Sequence, residues 1–208
     1  MDKENFRKEQ KQRLKNHAQK RFHFDFKIYK EITKIIKNTK SKNILIFIPL
    51  PYEPNLLRFR KNLSKNCILF VPFMQDKSLK MVKLRMPFKK GDFGVRQCAN
   101  SFAKVKIDLA VVPVIGVDKN FKRIGHGKGF YDRFFAELSY EVKIIFIQSI
   151  DALTNQSLTQ DHDIKADFYI NPYKKYFKKE LRYVNNTYCI YRRYHRRWDR
   201  IFSCQKDQ

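Results

Sequence analysis

Short apolar runs alternate with amphipathic or charged stretches along this chain, and that rhythm sets the predicted elements. Residues 3–21 are highly charged and lack glycine and proline, which suits an exposed helix. Phe26, Ile28, Ile32, Ile35 and Ile36 then recur at nearly helical spacing and predict a second helix over about 25–40. NILIFIPL (43–50) is a continuous run of β-branched and aromatic residues, the pattern of a strand buried on both faces. Pro49, Pro51 and Pro54 close it and stiffen a loop around Glu53. NLLRFRKNL (55–63) predicts a helix, CILFVPF (67–73) a second buried strand, and the alternating LKMVKLR (79–85) a more exposed one. KIDLAVVPV (106–114) and VKIIFIQ (142–148) are further buried strands, with a helix over FYDRFFAEL (130–138) between them. ADFYIN (166–171) reads as a last short strand.

Buried strands alternating with helices predict an α/β fold: a three-layer α/β/α arrangement with a mostly parallel central sheet. The expected domain spans residues 1–171, and 172–208 form a basic, aromatic C-terminal extension. Ligands of such sheets bind beyond the carboxyl ends of the strands. Residues 115–130 leave a buried strand at that end and lead into a helix, so a ligand loop is expected there.

Composition narrows this picture. The 208 residues are 43% hydrophobic and 15% aromatic, enough for a core and against disorder. No apolar run approaches the roughly 20 residues of a membrane span, and MDKENFRKEQKQRLK lacks the apolar segment of a signal peptide. Cys67, Cys98, Cys189 and Cys204 lie far apart with no CxxC pair. A cytoplasmic protein with reduced thiols, and a monomer, is expected. The formal charge of +25 raises nucleic acid as a partner. The excess is spread along the chain and densest at its ends, with +9 over residues 1–43 and +8 over 172–208. That distribution favours a solvated basic surface over a nucleic-acid site, and small anionic substrates would gain from the same field.

Three of the six glycines fall at alternate positions in RIGHGKGFYDRFF (123–135). Gly125, Gly127 and Gly129 free the backbone N–H groups to approach an anion, and Arg123, Lys128 and His126 would add side-chain charge. The spacing is neither that of a Walker A loop nor that of a dinucleotide fingerprint. Asp132 follows at once and would repel phosphates unless a cation such as Mg²⁺ intervened. The alternative is a glycine-rich turn in which Asp132 caps the helix or pairs with Arg133.

The segment DLAVVPVIGVDKNFKRIGHGKGFYDRFF (108–135) resembles the signature of the 5-formyltetrahydrofolate cyclo-ligases, also called methenyltetrahydrofolate synthetases. Arg123, Gly125, Gly127, Gly129, Tyr131, Asp132 and Arg133 fall in register with it; Phe130 replaces the family's usual Tyr, and Val117 its usual Phe. Three distant pieces resemble the family in the same order. KENFR (Lys3, Glu4, Asn5, Phe6, Arg7) matches an element that holds ATP phosphates. PLPYEPNLL places Glu53 as a folate contact, with Ile48 on the wall of that pocket. DHDIKADFYI makes Asp163 a second Mg²⁺ ligand beside Asp132. Gln97-Cys98 departs from a frequent Glu-Pro, and the tail after 172 has no counterpart in the resemblance.

The resemblance implies an enzyme that consumes ATP and 5-formyltetrahydrofolate with Mg²⁺. ATP would contact residues 3–7 and the loop Arg123, Ile124, Gly125, His126, Gly127, Lys128, Gly129, Phe130 and Tyr131. The folate would meet Ile48, Glu53, His126, Gly127, Lys128, Gly129 and Phe130. The rival reading is a nucleic-acid-binding protein, carried by the basic surface and by YRRYHRRW in the tail, where aromatics interleave with arginines.

Overall fold

The computed structural model describes residues 2–16, 21–75, 78–90, 96–98 and 105–177. The tail from 178 onward, on which the nucleic-acid reading leans, lies outside the described residues, as do Cys189 and Cys204. Helices α1 (Lys3–Asn16) and α2 (Arg21–Thr39) precede strand β1 (Asn43–Leu45). A 3₁₀ turn (Leu56–Phe59) runs into the single-turn helix α3 (Arg60–Leu63), followed by strands β2 (Ile68–Gln75) and β3 (Ser78–Lys83). The short strands β4 (Lys89–Lys90) and β5 (Arg96–Gln97) pair with each other. After β6 (Leu109–Pro113) comes a second small pair, β7 (Gly116–Val117) with β8 (Arg123–Ile124). Helix α4 (Phe130–Ala136) and strands β9 (Lys143–Ile147), β10 (Phe168–Ile170) and β11 (Lys175–Phe177) follow.

The main sheet has the order β11-β10-β9-β6-β1-β2-β3. Its five inner strands run parallel, and the edge strands β3 and β11 are antiparallel to their neighbours. Alternate residues of each inner strand point to opposite faces. Ile44, Leu109, Val111 and Ile145 meet the Ile28, Ile32, Ile35 and Ile36 stripe of α2 on one face. Leu45, Ala110, Val112 and Phe146 meet Phe134 of α4 on the other. The three-layer α/β/α expectation is therefore met. Each fully buried aliphatic side chain of these two layers contributes roughly 1.5–3 kcal/mol of transfer free energy.

Three differences from the predicted elements have physical causes. Helix α1 is not a solvated rod, because Phe6, Gln10 and Leu14 share one face and are buried. Leu14 packs with Ile115, Ile150 and Ala152, and Phe6 sits where Gly116 has no Cβ to meet it. The buried stripe of α2 begins at Phe24, whereas Phe26 is exposed. Strand β11 continues the sheet past residue 171, through a turn in which Asn171 Oδ1 accepts from the Tyr173 and Lys174 N–H groups.

The chain leaves β1 for β2 on one side and later returns to place β6 on the other. This reversal opens a crevice at the carboxyl ends of β1 and β6, where parallel sheets bind ligands.

Candidate active site

A cavity of about 250 Å³ lies in that crevice. Its floor comes from strand ends, through Phe47 and Ile48 after β1, Pro72 and Met74 of β2, and Pro113 of β6. Its walls are the loop around Glu53 and the glycine loop after β8. Ile48, Glu53, His126, Lys128, Gly129 and Phe130 all line it, so six of the seven expected folate contacts meet in one place. Gly127, the seventh, is exposed and not among the residues that line the cavity.

Arg123 organises the wall. Its guanidinium is buried, donates from Nε and Nη2 to the Pro113 carbonyl at 3.2 and 3.1 Å, and lies 4.9 Å over the Tyr131 ring. Asp132 Oδ2 stands 3.8 Å from Nη1. Burial lowers the Arg123 pKa, and Asp132, Tyr131, Glu53 and Asp163 oppose that shift. A guanidinium keeps its charge even so, so Arg123 is a fixed positive point between three carboxyl groups. Its backbone N–H donates to the Ile164 carbonyl at 2.9 Å, and the Ile164 N–H donates to Asp132 Oδ1 at 3.2 Å. Asp132 therefore pairs with Arg123 and with the segment beside Asp163. Arg133 instead donates to the Lys128 carbonyl at 3.0 Å and stacks over Phe130.

The glycines of the loop serve separate ends. A Cβ on Gly125 would overlap the Arg123 guanidinium, so this glycine makes room for a side chain. Gly127 and Gly129 take φ of 99° and 66°, the left-handed region that favours glycine. Gly129 turns the chain into α4.

Helix α1 reaches the same loop. Arg7 Nε donates to the Gly125 carbonyl at 2.9 Å, and Lys3 Nζ lies 2.6 Å from Asp163 Oδ2, which also accepts from the Gln160 N–H at 2.8 Å. Asp2 Oδ1 accepts from the Asn5 N–H at the head of α1, a cap that sets where Lys3 and Arg7 point. Glu4 and Asn5 are exposed, and Phe6 and Ile124 are buried. Arg7 of α1 thus joins Arg123 and Lys128 at the glycine loop, and Lys3 is tied to Asp163. Mg²⁺ accepts one or two protein carboxylates together with phosphate oxygens. Asp132, whose Oδ1 accepts from the Ile164 N–H, and Asp163, next to Ile164 in the chain, are the carboxylates that could hold it, although no cluster of three His, Cys, Asp or Glu occurs among the described residues.

His126 differs from its expected role as a cation. Burial, with Arg123, Lys11 and Arg7 nearby, holds its pKa down to about 4, so the ring is neutral at neutral pH. Its Nε2 is 2.7 Å from the Tyr52 hydroxyl and 4.0 Å from Glu53 Oε1. Burial pushes the Glu53 carboxyl up to about 7, against the Leu50 N–H and Arg123, which favour its ionised form. Glu53 Oε2 accepts from the Leu50 N–H at 2.9 Å, which folds the carboxyl back onto its own loop.

Tyr52 carries no sequence signal of its own beside Glu53, whereas Gln97 stands at a departure from the family's pattern. Gln97 lines the cavity from β5 and its Nε2 lies 3.4 Å from the Met74 carbonyl, while Cys98 is buried beside the Arg85 carbonyl. The polar residue in place of the family's frequent Glu thus still faces the cavity.

The model of the 5-formyltetrahydrofolate cyclo-ligase family matches residues 1–154. The chain belongs to this family. A 5-formyltetrahydrofolate cyclo-ligase of Mycoplasma pneumoniae is 25% identical over 150 residues, which cover 72% of this chain and 85% of that relative. A probable 5-formyltetrahydrofolate cyclo-ligase of Schizosaccharomyces pombe is 21% identical over 179 residues, covering 71% and 83%. The solved 5,10-methenyltetrahydrofolate synthetase of Aquifex aeolicus superposes with a TM-score of 0.71 at 19% identity, over 90% of this chain and 96% of that one. The synthetase of Mycoplasma pneumoniae gives 0.62 at 23%, over 83% and 99%. These two likenesses show that the cyclo-ligase chain has the synthetase fold. It is an enzyme of that family, and no helix among its described residues is long and apolar enough to cross a membrane.

Proposed function

We propose that the protein converts 5-formyltetrahydrofolate to 5,10-methenyltetrahydrofolate at the expense of ATP, acting as a monomer in the cytoplasm. The observation that carries this reading is that Arg7 of α1 binds the Gly125 carbonyl of the glycine loop while Lys3 of the same helix pairs with Asp163, beside a cavity whose wall holds Glu53. The formyl oxygen is a poor leaving group. It attacks the γ-phosphorus of ATP, the bond to the β-phosphate oxygen breaks, and ADP departs. The resulting N5 iminium phosphate is attacked at carbon by N10. N10 loses its proton, phosphate leaves with the C–O electron pair, and the methenyl bridge closes.

Such transfer rests on positioning and charge neutralisation more than on a protein nucleophile. Lys3, Arg7 and Lys128 hold the polyphosphate, and the glycine loop keeps Cβ atoms out of its way. Asp132 and Asp163 are the residues that would hold Mg²⁺. When bound, Mg²⁺ supplies further charge neutralisation on the phosphate oxygens. Arg123 stays anchored to Pro113, with the Asp132 carboxylate 3.8 Å from its guanidinium. Glu53, near half-protonation at neutral pH, hydrogen-bonds the pterin N–H groups, and Phe130 packs against the ring.

The test is direct. Purified protein with ATP, Mg²⁺ and 5-formyltetrahydrofolate is expected to generate the ultraviolet absorbance of the methenyl product with one ADP per turnover. Folded protein that yields neither overturns the reading.

A further inference from the structure

We propose that Tyr52 is a positioning residue that latches the loop after β1 to the glycine loop, so that nucleotide and folate bind cooperatively. This rests on the function proposed above. The Tyr52 hydroxyl lies 2.7 Å from His126 Nε2, a side-chain contact across 74 residues of sequence. The two rings stand 5.8 Å apart, and both residues are half-buried. Tyr52 precedes Glu53 directly, and Glu53 is fixed through Leu50 with its Oε1 turned toward His126. His126 in turn follows Gly125, whose carbonyl accepts from Arg7 of α1. The Tyr52 hydroxyl and the Glu53 carboxyl of one loop thus both approach His126 Nε2, and Gly125, the residue before His126, is held by Arg7.

The glycine loop needs such an anchor. Gly127 and Gly129 at positive φ leave the backbone beside His126 permissive. One anchor, Arg7, comes from the nucleotide side, and the other, Tyr52, from the folate side. A nucleotide that orders the loop also orders His126. Through Tyr52 it then sets Glu53 against the cavity before the pterin arrives. Linkage makes the effect reciprocal, so bound folate tightens nucleotide to the same degree. Tyr52 is protonated up to about 12 and His126 is neutral above about 4, so the latch is a hydrogen bond between neutral groups.

The experiment is calorimetric titration of the full chain with 5-formyltetrahydrofolate, with and without a saturating non-hydrolysable ATP analogue and Mg²⁺. Wild type is expected to bind the folate about five-fold more tightly with the analogue, the factor that one neutral hydrogen bond carries. Tyr52→Phe removes only the hydroxyl. It should abolish most of that coupling and raise the folate KM, while kcat and the analogue's own affinity stay within about two-fold. His126→Ala should lose the same coupling, and the Tyr52→Phe/His126→Ala pair should lose no more. His126→Gln, whose amide still reaches the hydroxyl, should retain it. Coupling that survives in folded Tyr52→Phe overturns the latch, as does a wild type that binds folate without coupling. A wild type that binds no folate overturns the proposed function itself.

Discussion

Lys3 Nζ meets Asp163 Oδ2 at 2.6 Å, joining the first turn of the chain to a carboxylate 160 residues away. The pair is partly exposed, so its worth to folding is small, about 1 kcal/mol or less. It ties the head of α1, which carries Arg7 to the Gly125 carbonyl, to the segment that holds Asp163. Lys3→Ala should raise the ATP KM by about ten-fold or more, with a denaturation midpoint close to that of wild type. Lys3→Arg should recover part of the loss. Initial rates against ATP and urea unfolding of the same samples measure both. An unchanged KM would mean that Lys3 only ties α1 in place.

Asp132 and its asparagine variant separate metal binding from folding. Asn at 132 keeps an oxygen for the Ile164 N–H but loses the charge beside Arg123. Asp132→Asn should fold normally and need at least about ten times more Mg²⁺ for half-maximal turnover. Rates across a Mg²⁺ series decide it. An unaltered Mg²⁺ dependence would reject the metal role.

The glycines predict two distinct penalties. Gly125→Ala sets a methyl against a guanidinium that is tied to Pro113, so either the side chain or the loop must move. We expect a loss of about 2 kcal/mol or more, from displacing a buried, hydrogen-bonded charge, together with lost activity. Gly127→Ala meets nothing nearer than Arg7 atoms at 3.9 Å and incurs only the positive-φ strain, about 1–2 kcal/mol. Guanidinium unfolding of both variants should rank them in that order.

Glu53 and His126 give stability opposite slopes with pH. Glu53 titrates from 4.5 unfolded to about 7 folded, so its contribution is full below about pH 4.5 and is lost as pH rises through 7. His126 drops from 6.5 to about 4, so its contribution is full above about pH 6.5 and is lost as pH falls through 4. Glu53→Gln stays neutral and keeps an acceptor for the Leu50 N–H. It should melt higher than wild type at about pH 8, by at most about 3 kcal/mol of stability, and match it near pH 4.5. Melting curves across this range check the sign. The same variant should bind the folate less tightly.

Much of the fold was legible because burial on both faces leaves a mark in one dimension. The runs at 43–50, 67–73, 106–114 and 142–148 each contain a parallel strand, and the α2 stripe has helical spacing. The glycine loop was legible for a related reason, since a backbone that must turn at Gly127 and Gly129 requires glycine. The buried face of α1 was harder to see. Phe6 and Leu14 are lone apolar residues in a charged stretch, and their burial depends on the gap left by Gly116 and on the pocket of Ile115 and Ile150. Strand β11 was missed for a similar reason, because Lys175, Tyr176 and Phe177 look like the basic tail until β10 offers them an edge.

Pattern and spacing alone thus carried the α/β class, the place of the ligand loop after a buried strand, and the residue types that meet there. These are properties of local backbone geometry and of one-dimensional periodicity. What only the folded chain decided is which groups carry charge. His126 stands among cations in the sequence and is neutral because the fold buries it beside Arg123. Glu53 stands in a proline loop as an ordinary carboxylate in the sequence and holds its proton to about pH 7 because the fold buries it. Protonation depends on desolvation and on neighbours brought from far along the chain, Arg7 and Lys11 beside His126 and Arg123 beside Glu53, and such proximities exist only once the sheet has assembled.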